Sequence, residues 1–261
     1  MNALTISIIS LSMIFLATTL GSSFVFVLKK GFSIKTNNII LGFASGIMIS
    51  ASFFGLLLPS IEQSKEYFPS ISFLPPILGF LLGGALLFLL DKIVPHFHKS
   101  NGVEEGKNSM LSKNTKFFLA VTMHNIPEGL SVGFACGLAL TGNESSLIYS
   151  CLSLALGITL QNIPEGAAVS IPLFSDGMNK SKSFLFGMMS GIVEPIFGII
   201  GLFLAKLSYI TPWLLSLACG AMIYVTLDEL LPESRKGGYE HYGLWSFMIG
   251  FTIMMTLEIL L

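Results

Sequence analysis

His124-Asn125-Ile126-Pro127-Glu128-Gly129 returns 37 residues later as Gln161-Asn162-Ile163-Pro164-Glu165-Gly166, and Val132 and Val169 extend the match. Five consecutive residues therefore recur inside two long apolar runs, residues 117–140 and 146–171. Consecutive membrane spans run in opposite directions, so the two copies are antiparallel. That is the sequence trace of an inverted repeat, an arrangement that tends to place a polar site at the repeat interface near the middle of the bilayer.

The rest of the chain agrees with a membrane setting. Of its 261 residues 52% are hydrophobic and 11% charged, and mean hydropathy is +0.78. A soluble domain carries about 25% charged residues, which excludes a soluble enzyme and a disordered chain. Fourteen basic against 15 acidic residues leave a net charge of −1, so no polyanion-binding surface and no nucleic-acid partner are expected. About 20 apolar residues cross a bilayer, and eight runs meet that length: 4–28, 38–59, 72–94, 117–140, 146–171, 183–206, 211–231 and 243–261. The expected fold is an all-α membrane protein, one integral domain of eight transmembrane helices over residues 1–261, with inverted repeats and a polar loop at 96–116. The first apolar run continues to Leu28, too long for the core of a cleavable signal peptide.

Basic residues orient the spans, since Lys and Arg are retained on the cytoplasmic side. Lys29, Lys30 and Lys35 come after the first span, and Lys92, Lys99, Lys107, Lys113 and Lys116 after the third. Lys180 and Lys182 come after the fifth, Arg235 and Lys236 after the seventh, which places 12 of the 14 basic residues on one side. Only Lys65 and Lys206 fall on the other. Both termini are thus expected outside the cell membrane, with the 96–116 loop in the cytoplasm.

Glu128, Glu165 and Glu194 all fall inside spans, and no Lys or Arg occurs between Lys116 and Lys180 to neutralise the first two. Left ionised and alone, three such carboxylates would cost on the order of 8–10 kcal/mol on insertion scales. They must be protonated, hydrated or neutralised by a bound cation. His124 and Glu128 share one helix face, as do Gln161 and Glu165. Antiparallel helices then bring His124 near the depth of Glu165. Imidazole nitrogen with carboxylate oxygens suits zinc and neighbouring divalent first-row metals. Pro127 and Pro164 each remove a helix hydrogen bond and crowd the carbonyls of Met123 and Leu160. Glu194, followed by Pro195, lies eleven residues from the inner end of its span, or about 16 Å deep. Cys136, Cys151 and Cys219 lack metal-binding spacing and read as small core residues. Glu258, near the outer end of span eight, is expected to reach the headgroups.

The paired H-N-x-P-E-G and Q-N-x-P-E-G motifs resemble the ZIP (Zrt/Irt-like) metal transporters, especially their GufA-like branch, and the resemblance covers the whole chain. It implies uptake of a divalent metal toward the cytosol through a binuclear centre, chiefly zinc, with Fe, Mn or Cd as other cargo. Carried over by motif, His124, Glu128, Gln161 and Glu165 would hold one ion. Asn125, Asn162 and Glu194 would hold a second, with Glu128 and Glu165 bridging. Some relatives place an acid where this chain has Asn162 and a His where it has Gln161, so the second site is expected to be weaker here or to favour a different metal. By the same resemblance His96, His98, Asp228, Glu229 and Glu233 would form a cytoplasmic exit, and Met48 would line the pathway. The metal is substrate; no organic cofactor is implied. The lipid bilayer is the other partner, and a homodimer is one open assembly state. The alternative is an intramembrane metal-dependent hydrolase using a metal-bound water, although the His-Glu-x-x-His arrangement of zinc proteases is absent.

Overall fold

In hydrocarbon every backbone N–H and C=O must be satisfied within the protein, which leaves helices and closed barrels as the spanning structures. The apolar runs of this chain fold as helices. The computed structural model describes residues 2–27, 32–93, 96–97, 104–105, 113–142 and 145–260. Its helices are α1 (Ala3–Val27), α2 (Ile34–Ser50), α3 (Leu58–Tyr67), α4 (Leu74–Ile93), α5 (Lys113–Thr141), α6 (Ser145–Ser175), α7 (Lys180–Ser190), α8 (Val193–Leu204), α9 (Thr211–Val225), α10 (Leu231–Glu233) and α11 (Glu240–Leu260). Two-residue strands β1 (His96–Phe97) and β2 (Glu104–Glu105) pair antiparallel, His96 opposite Glu105.

Among the described residues, seven helical stretches are long and apolar enough to cross a membrane: Ala3–Val27, Ile34–Tyr67, Leu74–Ile93, Ser146–Ser175, Lys180–Leu204, Thr211–Glu233 and Glu240–Leu260. The remaining expected span corresponds to α5. It has 29 residues, about 43 Å of helix, but His124, Asn125 and Glu128 dilute its apolar character. The chain is a multi-pass membrane protein. Large apolar side chains on the outside fit that setting: Ile8, Leu16 and Leu20 of α1, Leu81 of α4 and Trp245 of α11 are exposed, while Ser7, Ser10, Thr18 and Ser22 of α1 are buried.

Prolines shape the helices in two ways. α5 and α6 run continuously through Pro127 and Pro164. Elsewhere the sequences Leu57-Leu58-Pro59 and Leu230-Leu231-Pro232 each close a π-helical segment, Ala51–Leu57 and Thr226–Leu230. A proline ring crowds the carbonyl four residues back, here Gly55 and Asp228. The preceding amides reach one residue further instead, Leu58 to the Phe53 carbonyl and Leu231 to the Thr226 carbonyl. The helix therefore continues from Ile34 to Tyr67, past the span end expected at residue 59. Pro195 marks an interruption: ahead of it the chain leaves helix at Gly191 and Ile192 and restarts at Val193. Glu194 thus sits in the first turn of α8, where the helix dipole favours a carboxylate.

Two groups of helices emerge from the packing. α1 lies along α6 and α7, α5 lies along α8, and α5 meets α6; α2 lies along α11, and α4 along α9. Contacts of α2 with α6 and of α5 with α9 join the groups. The last residue of each repeated motif serves this packing. A Cβ on Gly129 would collide with the backbone of Glu194 on α8, and one on Gly166 with the Thr18 carbonyl on α1. The repeat is thus visible in space, α5 on α8 answering α6 on α1. Close approach through small residues is the usual device for packing membrane helices.

One expectation needs revision. Cys136 and Cys151 are free and buried as expected, and their Sγ atoms meet 2.6 Å apart across the α5–α6 hairpin. Glu258 does not extend to the headgroups. It is half-buried beside Ser153 of α6 and faces Gly55, where a Cβ would lie 3.1 Å from its Oε1.

Candidate metal centre

Where α5 crosses α6, one polar cluster fills the interior. Asn125 and Glu128 come from α5, Gln161 and Asn162 from α6, and Glu194 from the first turn of α8; all five are fully buried. Glu165 of α6 stands within electrostatic reach of Glu128 and Glu194, beside the Asn125 amide. The i, i+4 and i, i+3 spacings of the two motifs explain the convergence: each sets its polar side chains on one helix face, and glycine contacts press those faces inward.

The hydrogen bonds divide the cluster. Gln161 Nε2 donates to Glu128 Oε1 in a short contact. Asn125 Nδ2 donates to the Ser190 carbonyl at 3.0 Å and to Glu194 Oε1 at 3.2 Å. Asn162 Nδ2 donates to the Ile14 carbonyl at 3.1 Å and to Glu194 Oε2 at 2.8 Å. Thr18 Oγ1 of α1 completes the set, donating to Glu194 Oε1 at 3.0 Å. Five oxygens are buried without any hydrogen-bond partner: Asn125 Oδ1, Glu128 Oε2, Gln161 Oε1, Asn162 Oδ1 and Glu165 Oε1. Unpartnered buried acceptors are rare, and each calls for a reason. A visiting cation supplies one, because all five are the oxygen donors that divalent ions take.

Among the described residues no three His, Cys, Asp or Glu side chains gather at metal-ligating distance. The centre is a mixture of carboxylates and amides. The His124 side chain lies outside the described residues; its backbone sits on α5 one turn before Glu128.

Comparison with known proteins settles the family. Residues 115–258 match the family described as ZIP Zinc transporter. The chain is 31% identical to "Zinc transporter ZIP11" of Homo sapiens, with 93% of each chain covered. The chain belongs to the ZIP family. It is 34% identical to "Zinc transporter GufA" of Myxococcus xanthus, again over 93% of both chains, in keeping with the GufA-like branch. "Zinc transporter ZIPB" of Bordetella bronchiseptica is 32% identical over 94% of this chain and 77% of its own.

Other residues singled out by ZIP resemblance have mixed placements. Met48 is buried among Leu87, Ala221 and Val225, its Sδ accepting from Thr226 Oγ1 at 3.7 Å. Asp228 and Glu229 occupy the second π segment, and Glu233 of α10 pairs with Lys236 at 2.6 Å. His96 is on β1, its side chain outside the described residues, as is all of His98. Thr18 is the residue that sequence reading missed. Span one carries no charge to attract attention; the available signal was the i, i+4 pair Thr18 and Ser22 on an apolar helix, with Ser22 donating to the Gly166 carbonyl at 3.2 Å.

Proposed function

We propose that this protein carries divalent metal ions, zinc foremost, across the cell membrane toward the cytosol. The observation that carries the reading is the group of five partnerless oxygens on paired motifs of α5 and α6, in a chain whose relatives are named zinc transporters. Glu128, Glu165, Gln161 and His124 hold the ion, with the amides of Asn125 and Asn162 beside them. The lysine asymmetry supports eight spans with both termini outside, which puts His96, His98, Asp228, Glu229 and Glu233 on the cytoplasmic side as an exit path. Met48 borders the route.

The geometry suggests how passage works. α1, α5, α6, α7 and α8, which carry the buried cluster, pack on one another and meet the pairs α2–α11 and α4–α9 through α2–α6 and α5–α9 contacts. Movement of one group against the other would expose the site to alternate faces while its ligands stay in register. No hydrolytic role draws support: the family and the relatives are named as zinc transporters. The test is zinc uptake into vesicles holding the purified protein, with His124→Ala and Glu165→Ala as controls. Uptake that both substitutions abolish is the expected result. Uptake indifferent to both defeats the reading.

A further inference from the structure

The two asparagines of the motifs raise a question that the ligand set alone does not answer, namely the role of Glu194. An amide can be turned over to exchange its N and O ends, and the choice is decided by its partners. Here the partners leave no choice. The groups facing Asn125 are the Ser190 carbonyl and Glu194 Oε1, and those facing Asn162 are the Ile14 carbonyl and Glu194 Oε2. Carbonyls and carboxylates accept, so each NH2 end must face them and both its hydrogens are spent. Each Oδ1 is thereby turned the other way, and both are buried with no partner.

Glu194 is the reverse case. Oε1 accepts from Asn125 and Thr18, and Oε2 from Asn162. Neither oxygen is among the bare ones, unlike Glu128 Oε2 and Glu165 Oε1. To bind a cation through Oε1, Glu194 would have to release its donors on α1 and α5, and the Asn125 amide would lose an anchor. That leaves Glu194 a single lone pair, on Oε2 beside Asn162. Its seat in the first turn of α8 gives the carboxylate further support without an ion.

From this the geometry points to a single transported ion per chain, held by the bare oxygens, with Glu194 and Thr18 as positioning residues that aim the two amides. It rests on the transport reading above and changes its stoichiometry: the second site implied by resemblance is here a hydrogen-bonded brace. Thr18 links that brace to α1, whose backbone touches Gly166, so the helix that packs the site also orients it. Outer-shell partners of this kind usually change metal affinity 10–100-fold when removed.

The experiment counts zinc ions bound by purified wild-type protein in detergent and subtracts those bound by Glu128→Ala, which removes any ions held by surface histidines. A difference of one per chain is expected, and a difference of two overturns the inference. No difference at all defeats the transport reading instead. Thr18→Val, which keeps the shape and removes the donor, should raise the half-saturating zinc concentration for uptake about 10-fold, and Thr18→Ser should restore it. Unchanged half-saturation in Thr18→Val overturns the positioning role, whether or not Glu194→Gln yields folded protein.

Discussion

Where α1 meets α6 and α5 meets α8, glycines let backbones touch: Gly21 on Ile163, Gly133 on Gly198, Gly129 on Glu194. Where α2 meets α11 and α4 meets α9, glycines do the same, Gly42 on Gly243 and Gly83 on Leu217. Beside the first contacts lie carboxylates and amides. Beside the second lie apolar side chains and hydroxyls that bond to nearby carbonyls, Ser246 to Ile39 at 2.6 Å and Ser216 to Pro75 at 3.1 Å. Close packing is therefore common to both groups, and the buried cluster of carboxylates and amides is confined to one. The two properties should be separable by mutation.

The largest effect is expected from Glu165→Ala. Removing a ligand with a bare buried oxygen should lower vesicle zinc uptake by more than about 100-fold. Thermal unfolding should be unchanged or raised, since a buried carboxylate without an opposite charge is costly to fold. A protein that loses uptake only because it unfolds would erase the distinction between the groups.

Gly46→Leu makes the opposite cut. A side chain there would strike the Phe247 carbonyl on α11, and only backbone movement can relieve it. Overpacking of this kind costs about 1–3 kcal/mol, so thermal stability should fall. The zinc affinity of the fraction that folds should stay as in wild type. At Gly166 the same substitution should damage both properties, because the carbonyl it strikes belongs to Thr18, the donor to Glu194. Equal effects at both glycines on zinc binding would refute the division.

Acidity should act on one group alone. Metal binding needs deprotonated ligands and releases protons, and Glu128, Glu165 and His124 are the titrating ones. Zinc uptake should therefore fall several-fold as pH drops from about 7.5 to 5.5, with external pH-sensitive dye reporting protons released on binding. A flat profile would mean that ions reach the site without displacing protons.

The reach of sequence reading divides along the same line. The paired motif is visible because it puts charge where hydrocarbon forbids it, and the pairing of α5 with α6 comes from an inverted repeat. The roles of Asn125 and Asn162 are not visible, since an amide's two ends are set by carbonyls of Ser190 and Ile14, far away in the chain. Thr18 escapes for the same reason: a hydroxyl on an apolar helix acquires its role from α8. The interruption ahead of Pro195 and the two π segments arise at prolines outside the repeated motif, where no pattern in the sequence marks them. Helix ends such as Tyr67 lie further along than expected because a proline at a helix start, as Pro59 is in α3, does not stop the turns after it.

Glu258 gives the smallest expected effect and the sharpest check on the division. It is an acid in the group that lacks the carboxylate–amide cluster, on α11, beside Ser153 and the π segment at Gly55. Its Oε1 makes no hydrogen bond, so by the criterion of bare oxygens alone it would resemble Glu165. It differs in company: a hydroxyl and a glycine, with no metal-ligating group of three His, Cys, Asp or Glu among the described residues. One oxygen does not strip a divalent cation of its water. Glu258→Gln, equal in shape, should therefore alter half-saturating zinc by no more than about 2-fold and leave thermal stability within about 0.5 kcal/mol. A collapse of uptake comparable to that of Glu165→Ala would show that the metal path runs along α11 as well, and that both groups of helices carry ligands.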